Sequence, residues 1–193
     1  MQRLEAILEI SAATHRHVCP RQVLGARMGL LAGQTLGLEL PRSDKRLLVL
    51  VETDGCFADG VSVATGAWLG RRTMRLMDYG KVAATFIDTH SSLAVRIAPH
   101  AQARANARAK FVHLSKWSAY LEGYKILPDD ELFVVQAVSL TFSLEQLISH
   151  AGARVTCSKC LEEILNGREV IQEGKVLCQS CAGDSYWTGS KPL

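Results

Sequence analysis

The chain has 193 residues, of which 48% are hydrophobic and 21% charged, a composition typical of one globular domain with a small addition. Its longest uncharged stretches reach about half of the roughly 20 apolar residues that a bilayer span requires, and the N-terminus lacks the apolar run of a secretory signal, so we expect a cytoplasmic protein without membrane contact. Basic residues exceed acidic ones by 22 − 19 = 3, too few to indicate nucleic acid as a partner.

Hydrophobic periodicity predicts that the chain begins with two helices. Apolar residues at helical spacing indicate an amphipathic helix that ends near Thr14, and Pro20 fits the first turn of the second helix. A third, short helix is expected over 57–65, with Asp54 as its candidate cap. The alanine-rich segment 101–120 has high helix propensity and predicts one long helix.

Runs of apolar and β-branched residues predict five strands, at 47–51, 72–76, 82–87, 93–97 and 132–138. The first is uniformly apolar, as in a strand buried on both faces, and turn residues between the next three favour hairpins or a meander. Helices and strands in this order predict an α+β domain with helices packed on a mostly antiparallel sheet. We expect this domain to occupy residues 1–150 and a separate small module to occupy residues 151–193.

Four of the six cysteines form two C-x-x-C pairs in that module, namely Cys157, Cys160, Cys178 and Cys181. The 17 residues between the pairs match the spacing of a four-cysteine zinc site, and Glu173-Gly174 between them predicts the turn of a β-hairpin. So small a module needs its metal to fold, so we predict a structural Zn²⁺ ion in a zinc ribbon. A redox dithiol or an iron–sulfur site is the alternative. The segment resembles the fingers of the DksA/TraR type, which contact protein or nucleic acid.

A second group of metal-binding residue types precedes the second predicted helix. If residues 15–19 are extended, the two-residue period places His15, His17 and Cys19 on one side of the backbone. Cys56 stands at the carboxyl end of a predicted strand, where loops often carry chemistry, and from there it can meet Cys19. The interpretation without a function is a surface histidine pair and two ordinary small cysteines.

The same residues carry a resemblance to a known family. The run T-H-R-H-V-C-P at 14–20, with G-A-R-M-G at 25–29, resembles the H-G-H-x-C-P…G-x-R-M signature of the FmdE family, which takes its name from a component of formylmethanofuran dehydrogenase. The run E-T-D-G-C-F-A-D-G-V at 52–61 resembles a second block of that family. Arg16 and Arg21 depart from the pattern, because the family usually has glycine at both positions.

The resemblance implies a fold, a metal and an assembly. The fold would be the FmdE-like α+β domain with a mixed sheet, often dimeric and often followed by a zinc-finger tail, so a homodimer is expected. The implied ligands are His17, Cys19 and Cys56, with His15 as a further candidate, and the implied ion is Zn²⁺ or another divalent transition metal. Asp59 is a candidate to orient one of these ligands.

The sequence leaves the function open between classes. The family name implies a metal-dependent accessory protein or enzyme of anaerobic one-carbon or molybdenum/tungsten metabolism, with Lewis-acid chemistry at an open coordination position. The alternative is a non-enzymatic zinc-binding adaptor whose ribbon docks a protein or nucleic-acid partner. A third interpretation makes Cys19 a nucleophile, with His15 or His17 as its base. No substrate, acid–base residue or particular protein or small-molecule partner is identified.

One basic segment has two interpretations. From residue 100 to residue 125 there are five basic residues and one acidic residue, a local excess of 5 − 1 = 4. The simplest explanation is a solvated helix face, and a phosphate-bearing ligand is the alternative.

Overall fold

Helices come first in the chain, and strands alternate with them afterwards. The computed structural model describes residues 2–148 and 152–189, and the chain divides into two units, Met1–Thr141 and Phe142–Leu193. The helices of the first unit are α1 (Gln2–His15), α2 (Pro20–Leu36), α3 (Cys56–Thr65), α4 (Ala103–Lys110), α5 (Lys116–Ile126) and α6 (Asp129–Leu132). Its strands are β1 (Leu47–Val51), β2 (Met74–Leu76), β3 (Ala84–Asp88), β4 (Ala94–Pro99) and β5 (Phe133–Ala137). The boundary that we predict at residue 150 lies outside the described residues.

The five strands of the first unit form one mixed sheet in the order β2-β1-β3-β4-β5. β1 pairs in parallel with β2 and antiparallel with β3, and the remaining two pairs are antiparallel. The prediction of an α+β fold with a mixed, mostly antiparallel sheet is confirmed. The meander expected from 72 to 97 is wrong at its first strand, because β2 joins the far side of β1 instead of pairing with β3. Turn residues reveal a change of direction, but not which strand becomes the neighbour.

The single long helix predicted over 101–120 is wrong, because α4 and α5 share this part of the chain. The two helices are separated by residues 111–115. Ser115 caps α5, since its side-chain oxygen accepts a hydrogen bond from the Ser118 N–H at 3.1 Å. High helix propensity over the whole segment concealed the break, which the serine cap determines.

Helix α2 covers the sheet by packing against β3 and β4. Large side chains without solvent exposure fill the space between them, including Met28, Phe57 and Phe86. Burial of each such side chain stabilises the folded state by about 2 kcal/mol. Within the described residues, every helix is too short or too polar to cross a lipid bilayer.

The described part of the second unit contains one short helix and two antiparallel hairpins. Its elements are α7 (Leu144–Leu147), β6 (Arg154–Thr156), β7 (Glu163–Leu165), β8 (Val170–Gln172) and β9 (Lys175–Leu177). β6 pairs with β7, and β8 pairs with β9. Glu173 and Gly174, with φ angles of 50° and 73°, form the turn between β8 and β9, so the predicted hairpin is confirmed.

Candidate functional site

Cys19 and Cys56 each stand at the amino-terminal end of a helix. Cys19 is the N-cap residue of α2, and Cys56 is the first residue of α3. The two helices pack unusually closely: a Cβ atom on Gly25 would lie 2.2 Å from the Phe57 carbonyl oxygen, and one on Gly60 would lie 2.3 Å from a carbonyl oxygen of α2. Because the contacts advance along both helices in the same direction, this packing brings their first residues together.

The side chains of the two cysteines are hydrogen-bonded to each other. Cys19 is buried and Cys56 is half-buried. Burial raises the pKa of the Cys56 thiol, and the hydrogen bond from Cys19 and its charge raise it further. Two thiolates this close repel each other, so a cation is required to hold both sulfurs in the ionised form.

The histidines are arranged differently from the expectation. Helix α1 continues through His15, and Arg16 turns the chain with a φ of 63°, so residues 15–19 do not form one extended segment. Glycine, the usual residue of the family pattern at position 16, would adopt this φ without strain. His17 is exposed, and the His15 side chain lies outside the described part of the chain.

A third metal ligand does not join the two sulfurs among the side chains that the structure describes. The criterion is a set of three or more ligand atoms, each within 4.8 Å of the others, and of the described residues only the four C-terminal cysteines meet it. The structure therefore brings together Cys19 and Cys56, but it does not place His17 with them.

Gln22, which the sequence analysis did not single out, holds Cys19 in place. Its Oε1 accepts a hydrogen bond from the Cys19 N–H at 2.7 Å, and its Nε2 donates to the Ser11 hydroxyl at 2.9 Å. The Gln22 side chain is fully buried, so one amide connects α1, α2 and the cysteine. The signal was present in the sequence, because glutamine three residues after an N-cap is half of a capping box.

The loop before Cys56 is held by a buried ion pair. Arg96 donates two hydrogen bonds to the Glu52 carboxylate, at 2.6 and 2.8 Å, and the Glu52 side chain is only 7% exposed. This bond raises the pKa of Arg96. The Glu52 carbonyl also accepts a hydrogen bond from the Lys81 N–H at 3.1 Å. These contacts fix the loops that carry Cys56 and Lys81 relative to each other.

Helix α3 begins without the cap that the sequence predicts. Gly55, not Asp54, is the N-cap residue, and no side chain caps this end of the helix. The φ of Gly55 is 73°, a left-handed conformation that glycine adopts at little cost. The prediction for Asp54 is wrong because the chain must turn sharply between β1 and α3, and this turn places the glycine at the cap position.

A cavity of about 820 Å³ opens beside the two cysteines. Three kinds of side chain dominate its lining in addition to the thiols: basic residues, a histidine and aromatic rings. They are Arg21, Lys81, Arg104, His100, Trp117, Tyr120 and Tyr124. Among the described residues, no aspartate or glutamate contributes to this lining.

The C-terminal cysteines form the second candidate site. The Sγ atoms of Cys157, Cys160, Cys178 and Cys181 all lie within 4.8 Å of one another, and those of Cys160 and Cys178 are 3.9 Å apart. Backbone N–H groups of Cys178 and Cys181 donate to sulfur atoms of the group, each at 3.3 Å. Four sulfurs converging from two tight turns are the donor set that a closed tetrahedral site requires.

The thiols of this group cannot all ionise by themselves. Backbone N–H groups of Cys160 and Cys178 lower the pKa of Cys157 to about 6. The side chain of Cys178 has the opposite effect on Cys181, whose pKa is raised to about 12. The N–H groups thus stabilise one negative charge, and further thiolates need a bound cation. The residues therefore fit a divalent metal.

These observations define the class of protein: an α+β domain with two cysteines at neighbouring helix ends, followed by a unit with a four-cysteine metal site. A profile of the FmdE family, described as FmdE, molybdenum formylmethanofuran dehydrogenase operon, matches residues 14–134. The chain belongs to the FmdE family, as the sequence resemblance implies.

Two relatives extend this comparison. The chain is 30% identical over 210 aligned residues to a protein of Archaeoglobus fulgidus described as "Probable S-adenosyl-L-methionine-binding protein", and the match covers 95% of this chain and 54% of the relative. The chain thus spans about half the length of that relative. An FmdE-like protein of tungsten formylmethanofuran dehydrogenase, from Syntrophus aciditrophicus, superposes with a TM-score of 0.61 at 24% identity, covering 96% of this chain and 95% of that one. This likeness establishes the fold.

Proposed function

We propose that the chain is a metal-binding protein with two centres. One is a structural Zn²⁺ site at the four C-terminal cysteines, and the other holds Zn²⁺ or another divalent transition metal at Cys19 and Cys56. His17 or His15 is the proposed third ligand of the second centre. The observation that carries this proposal is the contact between the Cys19 and Cys56 thiols beside a large cavity. Sulfur and imidazole nitrogen are the donors that zinc prefers.

A metal at the N-terminal centre supplies a Lewis acid to a ligand in the cavity. The chain's own residues perform the positioning. Gln22 holds the backbone of Cys19, and the Glu52–Arg96 pair holds the loop that leads to Cys56. The amino-terminal ends of α2 and α3 carry partial positive charge, which favours anionic sulfur at both positions.

We assign the protein a role in anaerobic one-carbon or molybdenum/tungsten metabolism, as an accessory protein or an enzyme. Membership of the FmdE family supports this role. The archaeal relative is named for binding S-adenosyl-L-methionine, but about half of that protein lies outside the match, so the proposal does not depend on this ligand. A cytoplasmic homodimer is part of the proposal.

The adaptor alternative uses the same C-terminal metal but assigns no ligand to the cavity. It draws support from Tyr186 and Trp187, which are 99% and 51% exposed in the second unit and offer aromatic surface to a partner. Ligand binding in the cavity of the first unit would separate the two functions.

The metal content per chain tests the proposal. On protein purified without oxygen, elemental mass spectrometry is expected to find two equivalents of metal in the wild type and one in the Cys19→Ser/Cys56→Ser double variant. The matched control is Cys178→Ser, which should lose the other equivalent. One equivalent in both the wild type and the double variant would reject the N-terminal centre. Separate His17→Ala and His15→Ala variants would identify the third ligand.

A further inference from the structure

The cavity beside Cys19 and Cys56 carries charge of one sign. Arg21, Lys81 and Arg104 line it, and no carboxylate within the described residues shares the lining with them. The nearby carboxylate of Glu52 is already bound by Arg96. Three basic groups around one cavity attract an anion, because the anion relieves the repulsion between them.

These basic groups come from separate elements that the fold brings to one place. Arg21 lies in the first turn of α2, where the partial positive charge of the helix end adds to its own. Lys81 lies in the loop that is hydrogen-bonded to Glu52. Arg104 lies in α4 and donates a hydrogen bond to the Tyr124 hydroxyl, which holds its guanidinium at the cavity wall. Arg21 stands where the family pattern has glycine, so this contribution is specific to the present chain.

Helix α5 forms an aromatic wall on the same cavity. Trp117, Tyr120 and Tyr124 are spaced at three and four residues, so they lie on one face of the helix. The two tyrosine rings stack on each other, with centroids 5.7 Å apart and an angle of 3° between their planes. Trp117 is 51% exposed, which leaves indole surface available to a flat ligand.

We propose that this cavity binds a phosphorylated ligand that carries a flat ring, of the nucleoside monophosphate type. Arg21, Lys81 and Arg104 hold the phosphate, and Trp117 contacts the ring. Guanidinium and ammonium groups are the common protein ligands of phosphate, and its double charge matches a site with several cations. The inference rests on the proposed function in one respect, since it takes the cavity beside the two cysteines as the working site.

Calorimetric titration with three probes separates the phosphate from the ring. AMP carries both groups, adenosine carries only the ring and ribose 5-phosphate carries only the phosphate. We expect the full-length protein to bind AMP at least about tenfold more tightly than adenosine or ribose 5-phosphate, because each contact to a charged group contributes about that factor. Equal affinities for AMP and adenosine, or no binding of AMP at millimolar concentration, would overturn the inference.

Matched variants assign the contacts to residues. Arg104→Gln is expected to weaken AMP binding about tenfold and to leave adenosine binding unchanged. Arg108→Gln is the control, since Arg108 is also exposed on α4 but does not line the cavity. Trp117→Ala should weaken both AMP and adenosine, whereas Trp68→Ala, outside the cavity, should weaken neither. Equal effects of the two arginine variants, or of the two tryptophan variants, would contradict the proposal.

The Cys19→Ser/Cys56→Ser double variant distinguishes this inference from the metal proposal. If AMP binding depends on Arg104 while the metal content is the same with and without the cysteines, the metal proposal alone fails. If AMP binding is lost with the cysteines but is insensitive to Arg104→Gln, a metal holds the phosphate and the present inference alone fails.

Discussion

Asp88 at the end of β3 is a buried carboxylate whose hydrogen bonds favour its charged form. Arg46 donates two hydrogen bonds to it, at 2.8 and 2.9 Å, and the Ser91 hydroxyl and the His90 N–H donate two more, at 2.8 and 3.1 Å. The Asp88 residue is 2% exposed. The Arg46 bonds are the largest of the effects that hold the pKa of Asp88 well below its usual range.

The depressed pKa of Asp88 predicts acid sensitivity. An aspartate in the unfolded chain has a pKa of about 3.9, so the ionised form stabilises the folded state above that pH, and the stabilisation is lost as the pH falls toward the lower folded value. Asp88→Asn is expected to lower the free energy of unfolding by about 3 kcal/mol at neutral pH, because it leaves Arg46 without its charged partner.

Urea denaturation at several pH values tests this prediction. The free energy of unfolding of the wild type should decline below about pH 4, and Asp88→Asn should show a shallower decline. Asp54→Asn is the control, because Asp54 is exposed. The same pH dependence in the wild type and in Asp88→Asn would contradict the assignment to this carboxylate.

At the scale of elements, the contact between α2 and α3 positions the N-terminal cysteines. Gly25 and Gly60 allow the two backbones to meet, and Gly29 lies against Ala64 further along the same helices. A side chain at any of these glycines must separate the helices, because protein interiors leave no space for it. The geometry of the candidate metal centre therefore depends on residues that bind nothing.

Gly25→Ala tests this dependence. We expect the free energy of unfolding to fall by about 2 kcal/mol, since an added methyl group overpacks the contact. We also expect less intramolecular Cys19–Cys56 disulfide after mild oxidation, measured by peptide mass spectrometry. The matched control is Gly70→Ala, because a Cβ atom there would have no neighbour within 4 Å. Equal stability and equal disulfide yield in the two variants would show that the helix contact tolerates the methyl group.

At the scale of the whole molecule, the two units obtain their stability differently. The first unit has an extensive core between helices and sheet. The second has a small buried cluster of Cys157, Ile164 and Leu177. A cluster of this size cannot offset the conformational entropy of the segment, so the metal must contribute most of the folding free energy of the second unit.

Chelation of metal from the full chain tests this difference. A strong chelator is expected to make sites within 152–189 sensitive to limited proteolysis and to leave the fragment that contains residues 2–141 intact. Cys178→Ser should reproduce the effect without chelator, and added Zn²⁺ should restore protection only in the wild type. Proteolysis patterns that chelator does not change would show that the second unit folds without metal.

The sequence by itself determined the features that depend on neighbouring residues. The strand at 47–51 and the hairpin at Glu173-Gly174 follow from local patterns of apolar and turn residues. The four-cysteine group follows from spacing, because each C-x-x-C pair forms one turn and two such turns suffice for a metal site. The family motifs added the hypothesis that Cys19 and Cys56 work together.

The tertiary structure alone decided what depends on the packing of distant elements. The position of β2, the contact of Cys19 with a residue 37 positions away and the basic cavity built from Arg21, Lys81 and Arg104 all belong to this group. Periodicity shows which face of an element is buried but not which element lies against it. Here that choice was made by two helices that approach through glycines, and it placed sulfur, positive charge and aromatic rings around one cavity.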